Sequence, residues 1–313
     1  MTLVHTDPGR RSPPPGSPDA GPAGRRCRGP ARAAIVAIVA IVLNLPHAAV
    51  TRTRAEQLPL WEAGLGATVI SFPDYRGSDE RRSWLLPFPY IVYRGEFLKA
   101  DERRVRGLFF RTDRAELDVS VNGTPPVDSS ENAARQGMPD LDATLEIGPS
   151  LNFLLKRSDD RRIRLELRLP VRAALATDLS HVNFAGWVFQ PNLNLDLRDA
   201  FGQPGWNFGA LAGPLFSDRR YNQYFYGVDP AFATATRPAY NAPGGYAGAQ
   251  FLVSLSKRFR KFWVGGFARW DTLSQAVFSD SPLVKTNQYF AAGVALAWML
   301  GESRTQVETN GNR

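Results

Sequence analysis

The chain has 313 residues and a formal net charge of +8. Six Arg and two Asp precede Val50, so the 38 basic and 30 acidic residues of the whole chain fall to 32 and 28 beyond that point. This small excess does not indicate a nucleic-acid partner, because such a partner would need a basic stripe with interleaved aromatic residues.

The first 49 residues have the pattern of an export signal. Residues 1–30 are rich in Pro, Gly and Arg, which predicts a disordered leader. A cluster of Arg then precedes the apolar run 33–45, and small residues follow the run. Because the run is shorter than the ~20 residues of a transmembrane helix, it predicts a secretory signal peptide rather than a retained anchor. We expect cleavage near Ala49.

The cysteine content limits the possible chemistry. Cys27 is the only cysteine and lies in the predicted leader. Cleavage would leave a chain without thiols, which excludes disulfides, zinc–cysteine sites and cysteine nucleophiles. We expect no cofactor and no metal site. Residues 50–313 should form one domain with a short C-terminal tail from residue 301.

Beyond the signal, apolar and polar residues alternate in segments bounded by turns. In Trp61–Val69 the odd positions are mostly apolar, and small or polar residues lie between them. A period of two predicts β-strands. Pro87 and Pro89 should mark a bend or a strand boundary. The same alternation recurs in segments 115–121, 141–155, 163–175, 187–197, 250–256 and 289–300.

Several short motifs follow one another in a fixed order. They are Pro73-Asp74-Tyr75-Arg76-Gly77-Ser78, Pro87-Phe88-Pro89-Tyr90, Tyr93-Arg94-Gly95-Glu96, Gly123-Thr124-Pro125-Pro126-Val127-Asp128, Met138-Pro139-Asp140-Leu141, Leu145-Glu146-Ile147-Gly148-Pro149-Ser150 and Tyr224-Phe225-Tyr226-Gly227-Val228. With these motifs the chain resembles the MipA/OmpV family of Gram-negative outer-membrane proteins from residue 60 to residue 300.

The alternation alone fits two architectures, a soluble β-sandwich with its apolar faces inward or a membrane barrel with its apolar faces outward. The segments exceed the usual ~5–6 residues of a globular strand and reach the ~9–11 that cross a bilayer. Tryptophans near the segment ends suit the aromatic girdles of a barrel. These are Trp61, Trp84, Trp187, Trp206, Trp263, Trp270 and Trp298. We predict an all-β, transmembrane, antiparallel up-and-down barrel in the outer membrane, with about 12 strands and about 10 as the alternative.

The connections differ in length in a regular way. Short turns are predicted at 111–114, 156–161, 199–205 and 258–261, and mostly longer loops at 123–140, 177–183, 218–244 and 273–284. Bacterial barrels have short periplasmic turns and longer outer loops, which predicts the orientation. The loop 218–244 is rich in aromatic residues that could bind a sugar or a partner, although packing within the loop is the commoner outcome.

If lipid covers the apolar faces of the middle strands, the lumen receives a set of charged side chains. They are Glu116, Asp118, Asp142, Glu146, Arg162, Arg164, Glu166, Arg168, Arg172, Asp196 and Arg198. Acidic strands would lie beside a basic one, so the charges could pair across strands. Such a network would fill a narrow barrel, and a selective pore lined by the same charges is the alternative.

Catalysis is not expected. His181 is the only histidine beyond the predicted signal, and Ser180 precedes it directly. Neighbours on a strand face opposite sides, so the two side chains could not easily act together as nucleophile and base. A serine from another strand would be needed for a hydrolase, and no common catalytic or nucleotide-binding motif is present.

The family resemblance implies a role. It implies a non-enzymatic scaffold that holds a lytic transglycosylase and a penicillin-binding protein together in murein synthesis. The binding surface would lie on the periplasmic turns and the barrel rim, and outer-membrane lipid would surround the wall. A small-solute pore, or an adhesin or sensor acting through the outer loops, are the alternatives.

Overall fold

The computed structural model describes residues 57–94, 98–101, 104–107, 110–112, 114–178 and 180–308. The predicted leader, the signal peptide with its cleavage site and Cys27 lie outside these residues. No helix in the described ranges is long and apolar enough to cross a membrane. Most of the described residues lie in antiparallel strands.

The strands follow one another along the chain with few helical interruptions. They are β1 (Gln57–Pro59), β2 (Trp61–Pro73), β3 (Arg81–Arg94), β4 (Leu98–Asp101), β5 (Arg104–Gly107), β6 (Phe110–Arg111), β7 (Ala115–Thr124), β8 (Ala143–Arg157), β9 (Ile163–Thr177), β10 (Val182–Phe189), β11 (Asn192–Arg198), β12 (Trp206–Ser217), β13 (Gly245–Arg258), β14 (Phe262–Thr272), β15 (Gln288–Glu302) and β16 (Gln306–Glu308). The α-helix α1 (Arg219–Tyr226) lies between β12 and β13, and 3-10 turns occur at Ser129–Glu131, Ala200–Gly202 and Pro230–Phe232.

Nearly every strand pairs with its neighbours in sequence, and the first long strand pairs with the last. The ladder of β15 on β2 runs from Ala292 opposite Ser71 to Glu302 opposite Glu62. The 14-stranded sheet therefore follows the order β5-β4-β3-β2-β15-β14-β13-β12-β10-β9-β8-β7-β6, with β11 beside β9 and β12. The antiparallel β-barrel architecture predicted from the sequence is confirmed. The number of strands that closes its wall stays a prediction.

Pro87 and Pro89 were expected to mark a bend or a strand boundary, and the boundary is wrong. Pro87 and Pro89 lie inside the continuous strand β3, opposite Ala67 and Leu65 of β2. Proline cannot donate to a ladder, so it is tolerated where the missing N–H would face an unpaired edge. Among the described residues β3 pairs with β4 only at Tyr93 and Arg94, well away from both prolines.

The predicted strand 187–197 is divided in two. β10 and β11 occupy the same place between β9 and β12, and residues 190 and 191 separate them. Pro191 has no N–H to donate there, which breaks the ladder. The Gln190 side chain faces the barrel interior, where its amide contacts Arg172 and Gln250.

The two faces of each strand meet different surroundings. In β15 the side chains alternate between exposed and buried along almost its whole length, so that Val294 is 64% exposed and Ala295 is 8% exposed. Large apolar side chains on the other long strands are exposed in the same way, as at Leu65, Leu85 and Leu193. Lipid is the environment in which a row of exposed apolar side chains is stable.

The apolar band has the height of a membrane. On β12 it runs from Trp206 to Phe216 on the outward face. At about 3.3 Å per residue and a tilt of about 40°, this length spans about 25 Å, the height of the lipid-facing band of such barrels. Trp61, Trp187, Trp270 and Trp298 are exposed as predicted for girdles.

Two of the tryptophans predicted for the girdles face the interior instead. Trp263 is only 3% exposed and packs with Phe88, Tyr90 and Val92. The half-buried Trp84 lies on the same inward face of β3 as Phe88 and Tyr90, opposite the buried Ile70 of β2. Their positions in the alternation, and not their residue type, decide the face on which they lie.

The barrel has two different ends. The short-turn end carries turns 158–162, 199–205 and 259–261, together with the two-stranded ribbon of β1 and β16. The predicted C-terminal tail thus begins inside β15 and includes β16. The long-loop end carries 74–80, 125–142, 178–181, 218–244 and 273–287, of which 178–181 is shorter than predicted. The short-turn end is the expected periplasmic end.

We predict that Val294→Arg destabilises the barrel by about 2–4 kcal/mol, because an arginine on the lipid face at the bilayer midplane must be solvated by distorted lipid. Val294 lies midway between Phe290 and Trp298 on the outward face of β15. The free energy of unfolding in lipid vesicles, followed by the heat-modifiable shift on a gel, measures the effect. Val294→Leu is the control and should be nearly neutral. Equal stability of the two variants would contradict a lipid-facing β15.

Candidate functional site

The barrel interior holds a network of ion pairs on the inward faces of β7, β8, β9 and β11. Its centre is Glu166, which is 2% exposed and lies between Arg164 and Arg168 of its own strand. Arg164 Nε donates to Glu166 Oε1 at 2.6 Å, and Arg168 Nη2 donates to Oε2 at 2.7 Å. Residues two apart on a strand point to the same side, so one carboxylate can accept from both guanidinium groups.

Neighbouring strands add acids to this centre. Arg164 Nη2 lies 3.7 Å from Glu116 of β7, and Arg168 Nη2 lies 3.8 Å from Asp196 of β11. The amide of Asn194 donates to Asp196 at 3.0 Å. The charges of three strands therefore neutralise one another inside the wall, which lowers the cost of burying them.

A second group lies nearer the long-loop end and extends over more strands of the wall. The Arg172 guanidinium donates to Glu146 at 2.9 Å from Nε and to Gln190 at 2.8 Å from Nη2. Gln190 in turn donates to Gln250 of β13 at 3.0 Å. In the described sheet only β12 lies between Gln190 and β13, so this chain of hydrogen bonds runs along the inner face of the wall and passes over β12.

The predicted lumen residues divide into two sets. Glu116, Glu146, Arg164, Glu166, Arg168, Arg172 and Asp196 come together and are called the inner charge network below. Asp118 is buried beside them on β7.

Three other predicted residues lie at the barrel ends. Arg162 was wrongly placed in the lumen, because it lies in the turn before β9 with its side chain 58% exposed, 3.7 Å from Asp160. Asp142 precedes β8 at the long-loop end, and Arg198 is the last residue of β11. Both are half-buried.

Two further buried groups were missed from the sequence. Asp271 is fully buried, with Arg269 Nε 2.7 Å and Arg76 Nε 3.5 Å from its carboxylate, and Arg76 also donates to the Tyr289 hydroxyl at 3.0 Å. The alternation of β14, with Arg269 and Asp271 at odd positions, could have indicated this group. Near the short-turn end, the equally buried Glu62 pairs with Arg258 at 2.8 Å.

The loops of the long-loop end fold over the barrel mouth and form a compact body. We call the packed loops 74–80, 125–142, 218–244 and 273–287 the outer plug. Its core contains Tyr75, Phe225, Tyr226, Phe278 and Leu283, all nearly inaccessible. The rings of Tyr226 and Phe278 stack with centroids 3.7 Å apart. The aromatic residues of loop 218–244 are thus largely packed against one another and against other loops.

Two buried arginines fasten the plug loops together through backbone oxygens. Arg237 donates to the carbonyl oxygens of Ala134 at 3.1 Å and Gln136 at 2.8 Å, which ties loop 218–244 to loop 125–142. Arg135 donates in the other direction, to the carbonyl oxygen of Phe225 at 3.3 Å. Burial lowers the pKa of Arg135 and raises the pKa of Tyr224 to about 12.

Helix α1 connects the plug to the inner charge network. The Asp218 side chain accepts a hydrogen bond from the backbone N–H of Tyr221 and caps the helix. Gly186 of β10, with a φ of +131°, leaves room for this close approach, since a Cβ there would lie 2.5 Å from the Tyr221 nitrogen. The Tyr221 hydroxyl then donates to Glu146 Oε1 at 3.0 Å. Burial raises the pKa of Tyr221, so this hydroxyl keeps its proton.

The serine and histidine considered for catalysis lie apart from the network. Ser180 and His181 are in the outer loop 178–181, where Asp178 accepts hydrogen bonds from both backbone N–H groups. The His181 side chain is 81% exposed. In the part of the chain that the structure describes, no group of three His, Cys, Asp or Glu could hold a metal ion.

We predict that Tyr221→Phe loosens helix α1, because the substitution removes a hydrogen bond to a buried carboxylate worth about 1.5–3 kcal/mol. Hydrogen exchange of the Arg219–Tyr226 amides in detergent measures the free energy of local opening. Tyr224→Phe is the matched control, since its hydroxyl donates at 3.3 Å to the neutral carbonyl oxygen of Asp142. A loss for Tyr221→Phe no larger than that of the control would contradict the link.

Comparison with known proteins places the chain in a family. It has no match among curated proteins. Three solved structures are similar at 10% identity: a Pseudomonas aeruginosa FadL homologue (69% of this chain and 60% of that one, TM-score 0.26), the outer membrane protein OprG of P. aeruginosa (78% and 95%, 0.21) and the P. putida toluene transporter TodX (84% and 72%, 0.26). The family model for the MltA-interacting protein MipA matches residues 65–300. Because that match covers most of the chain, this protein belongs to the MipA family.

Proposed function

We propose that the protein is a non-enzymatic outer-membrane scaffold in cell-envelope biogenesis. It would hold a murein-hydrolysing lytic transglycosylase and a murein-synthesising penicillin-binding protein close together beneath the membrane. The observation that carries the proposal is membership of a family described as MltA-interacting. The family name gives the first partner, and the family resemblance implies the second.

The polar groups of the barrel interior support a scaffold role over a catalytic role. The inner charge network uses its carboxylates and guanidinium groups on one another, and Tyr221 and Gln190 complete the coordination of the Glu146–Arg172 pair. A catalytic site keeps a reactive group available to its substrate. Ser180 and His181, the pair considered for catalysis, are held in a solvent-exposed loop instead.

The binding surface is proposed at the short-turn end. Murein and its enzymes lie in the periplasm, and the short turns are expected to face it. There the two-stranded ribbon of β1 and β16 extends beyond the barrel wall. Next to it, the Leu60 N–H donates a hydrogen bond to the Thr305 carbonyl oxygen. The exposed turn 199–205 lies at the same end.

We expect a cysteine placed at the short-turn end, and not one at the long-loop end, to cross-link to the murein enzymes. Gln203→Cys and Ala235→Cys are matched variants, because both residues are exposed and the processed chain would have no other cysteine. Each variant is labelled with a photo-cross-linker and mixed with a purified lytic transglycosylase and a bifunctional penicillin-binding protein. Cross-links from residue 235 alone, or from neither position, would contradict the scaffold.

A small-solute pore is the second candidate. It is favoured by one observation: the Arg164 and Arg168 side chains keep 18% and 19% of their surface exposed inside the wall, unlike Glu166 between them. Exposed guanidinium groups in a lumen would attract anions. An adhesin or sensor acting through the outer loops has less support, because the aromatic residues of the outer plug are packed inward.

For a pore we expect ion conductance of the refolded protein in planar bilayers, with a preference for anions that Arg164→Gln and Arg168→Gln reduce. Arg162→Gln is the control, since its side chain lies in a turn at the rim and should leave the preference unchanged. A silent bilayer together with cross-linking at residue 203 would favour the scaffold. If all three variants keep the conductance and the anion preference of the wild type, the inner charge network does not determine the selectivity of the pore.

A further inference from the structure

The turn 199–205 exposes an aromatic side chain on a strained backbone. Phe201 is 75% exposed and has a φ of 59°, in the left-handed region that side-chain-bearing residues rarely adopt. Asp199, two residues earlier, also has a positive φ of 46°. Glycine at position 201 would adopt this backbone conformation without strain. The presence of a phenyl group there, despite the strain, points to a role outside the turn itself.

The Phe201 ring lies against the lipid-facing surface. It contacts Phe208 edge-on, with centroids 5.9 Å apart. Phe208 belongs to the outward series of β12, together with Trp206 and Phe216. The exposed phenyl group of Phe201 therefore continues the apolar band beyond the end of the strand, at the level where acyl chains give way to headgroups.

A cation lies beside Trp206 on the same surface. Lys257 follows Phe251, Val253 and Leu255 in the outward series of β13 and lies directly opposite Trp206. Its Nζ is 5.4 Å from the centre of the Trp206 ring and 5.4 Å from that of Phe259. The ammonium group is thus held over two rings at the lower edge of the apolar band.

The turn 259–261 also combines aromatic rings with cations. Phe259 stacks on Phe262 with centroids 4.4 Å apart, and Phe262 packs on Trp298 of β15 at 6.1 Å. Arg260 and Lys261 are exposed at the tip of this turn. Aromatic rings at the headgroup level with cations just beyond them match the profile of a phospholipid, whose phosphate lies outside its acyl chains.

The nearby acid does not cancel these cations. Asp199 Oδ1 accepts the Gly205 N–H at 2.7 Å, and its other oxygen lies 3.9 Å from Arg162 of the neighbouring turn. Its carboxylate is therefore directed into its own turn and toward Arg162. The surface formed by Phe201, Trp206, Lys257, Phe259, Arg260, Lys261 and Phe262 is called the rim patch below.

We propose that the rim patch binds an anionic phospholipid of the periplasmic leaflet. The phosphate and the headgroup are contacted by Lys257, Arg260 and Lys261. The glycerol region and the adjoining part of the acyl chain are contacted by Phe201, Trp206, Phe259 and Phe262. Continuity with the lipid-facing band identifies a lipid as the occupant. The site lies where the wall meets the turns 199–205 and 259–261, and lipid binding there does not depend on the proposed scaffold role.

The test is native mass spectrometry of the refolded full barrel in non-ionic detergent, titrated with dioleoyl phosphatidylglycerol or dioleoyl phosphatidylcholine. The wild type should prefer phosphatidylglycerol, and Lys257→Gln with Lys261→Gln should weaken that binding about five-fold for each cation removed. The control pair Arg219→Gln and Lys285→Gln removes two exposed cations at the opposite, long-loop end of the barrel and should change it much less. Equal binding of the two lipids, or equal losses for both pairs of variants, would overturn the proposal.

Phe201→Gly separates lipid contact from folding. Glycine accepts the left-handed backbone, so the variant should be at least as stable as the wild type in detergent. It should still bind both lipids about ten-fold more weakly, because the ring no longer covers the acyl chain. Unchanged lipid binding would overturn the role of the ring. Displacement of the lipid by millimolar inorganic phosphate would show a free-anion site and overturn the lipid as occupant.

Discussion

The structure depends on the constraint that a sheet placed in lipid must satisfy its backbone within itself and divide its side chains between two environments. The pairing of β15 with β2 meets the first part, because the first and last long strands cover each other's edges. The alternation of exposed and buried residues meets the second. Charges directed inward must then be paired within the wall, and Glu166 between Arg164 and Arg168 shows how one strand supplies both signs.

The interior is organised as a sequence of layers from one end to the other. Glu62 and Arg258 pair near the short-turn end, Glu166 and its arginines lie in the middle, and Glu146 with Arg172 lies near the mouth. Above them Tyr221 connects the network to the outer plug. The plug is therefore joined to the wall by a charged contact as well as by aromatic packing. A partner that moved helix α1 would have to give the Glu146 carboxylate a new donor.

Period-two patterning predicted most of the wall, since one slip of register would turn every apolar side chain of a strand inward. It placed the seven residues of the inner charge network on inward faces, but Arg162, Asp142 and Arg198 lie at the barrel ends. The pattern cannot tell a turn residue from the terminal residue of a strand. Trp263 was misjudged since residue type was weighed above position. Pro191 divides a strand that is paired on both sides, whereas Pro87 lies in β3 beside an edge that lacks a partner among the described residues. Only the assembled sheet shows which of these two situations a proline meets.

The sequence favoured packing within loop 218–244, but it did not predict the joining of several loops into the outer plug. Its core combines residues from loops far apart in the chain, such as Tyr75, whose hydroxyl donates to the Leu283 carbonyl oxygen at 2.8 Å. Arg237 and Arg135 look like solvated loop charges in the sequence, yet both donate to backbone oxygens in the interior of the plug. Irregular loops leave many carbonyl groups without secondary-structure partners, and a buried guanidinium group with several donors satisfies them.

The contact between β2 and β15 also sets an order on assembly. Each hairpin from β7 to β15 can form from local sequence, but Ile70 of β2 meets its neighbour Gly293 only after almost the whole polypeptide has been made. Until then β2 keeps an open edge that could pair with a second molecule. A chain that stops short of β15 would therefore leave this edge of β2 without its partner.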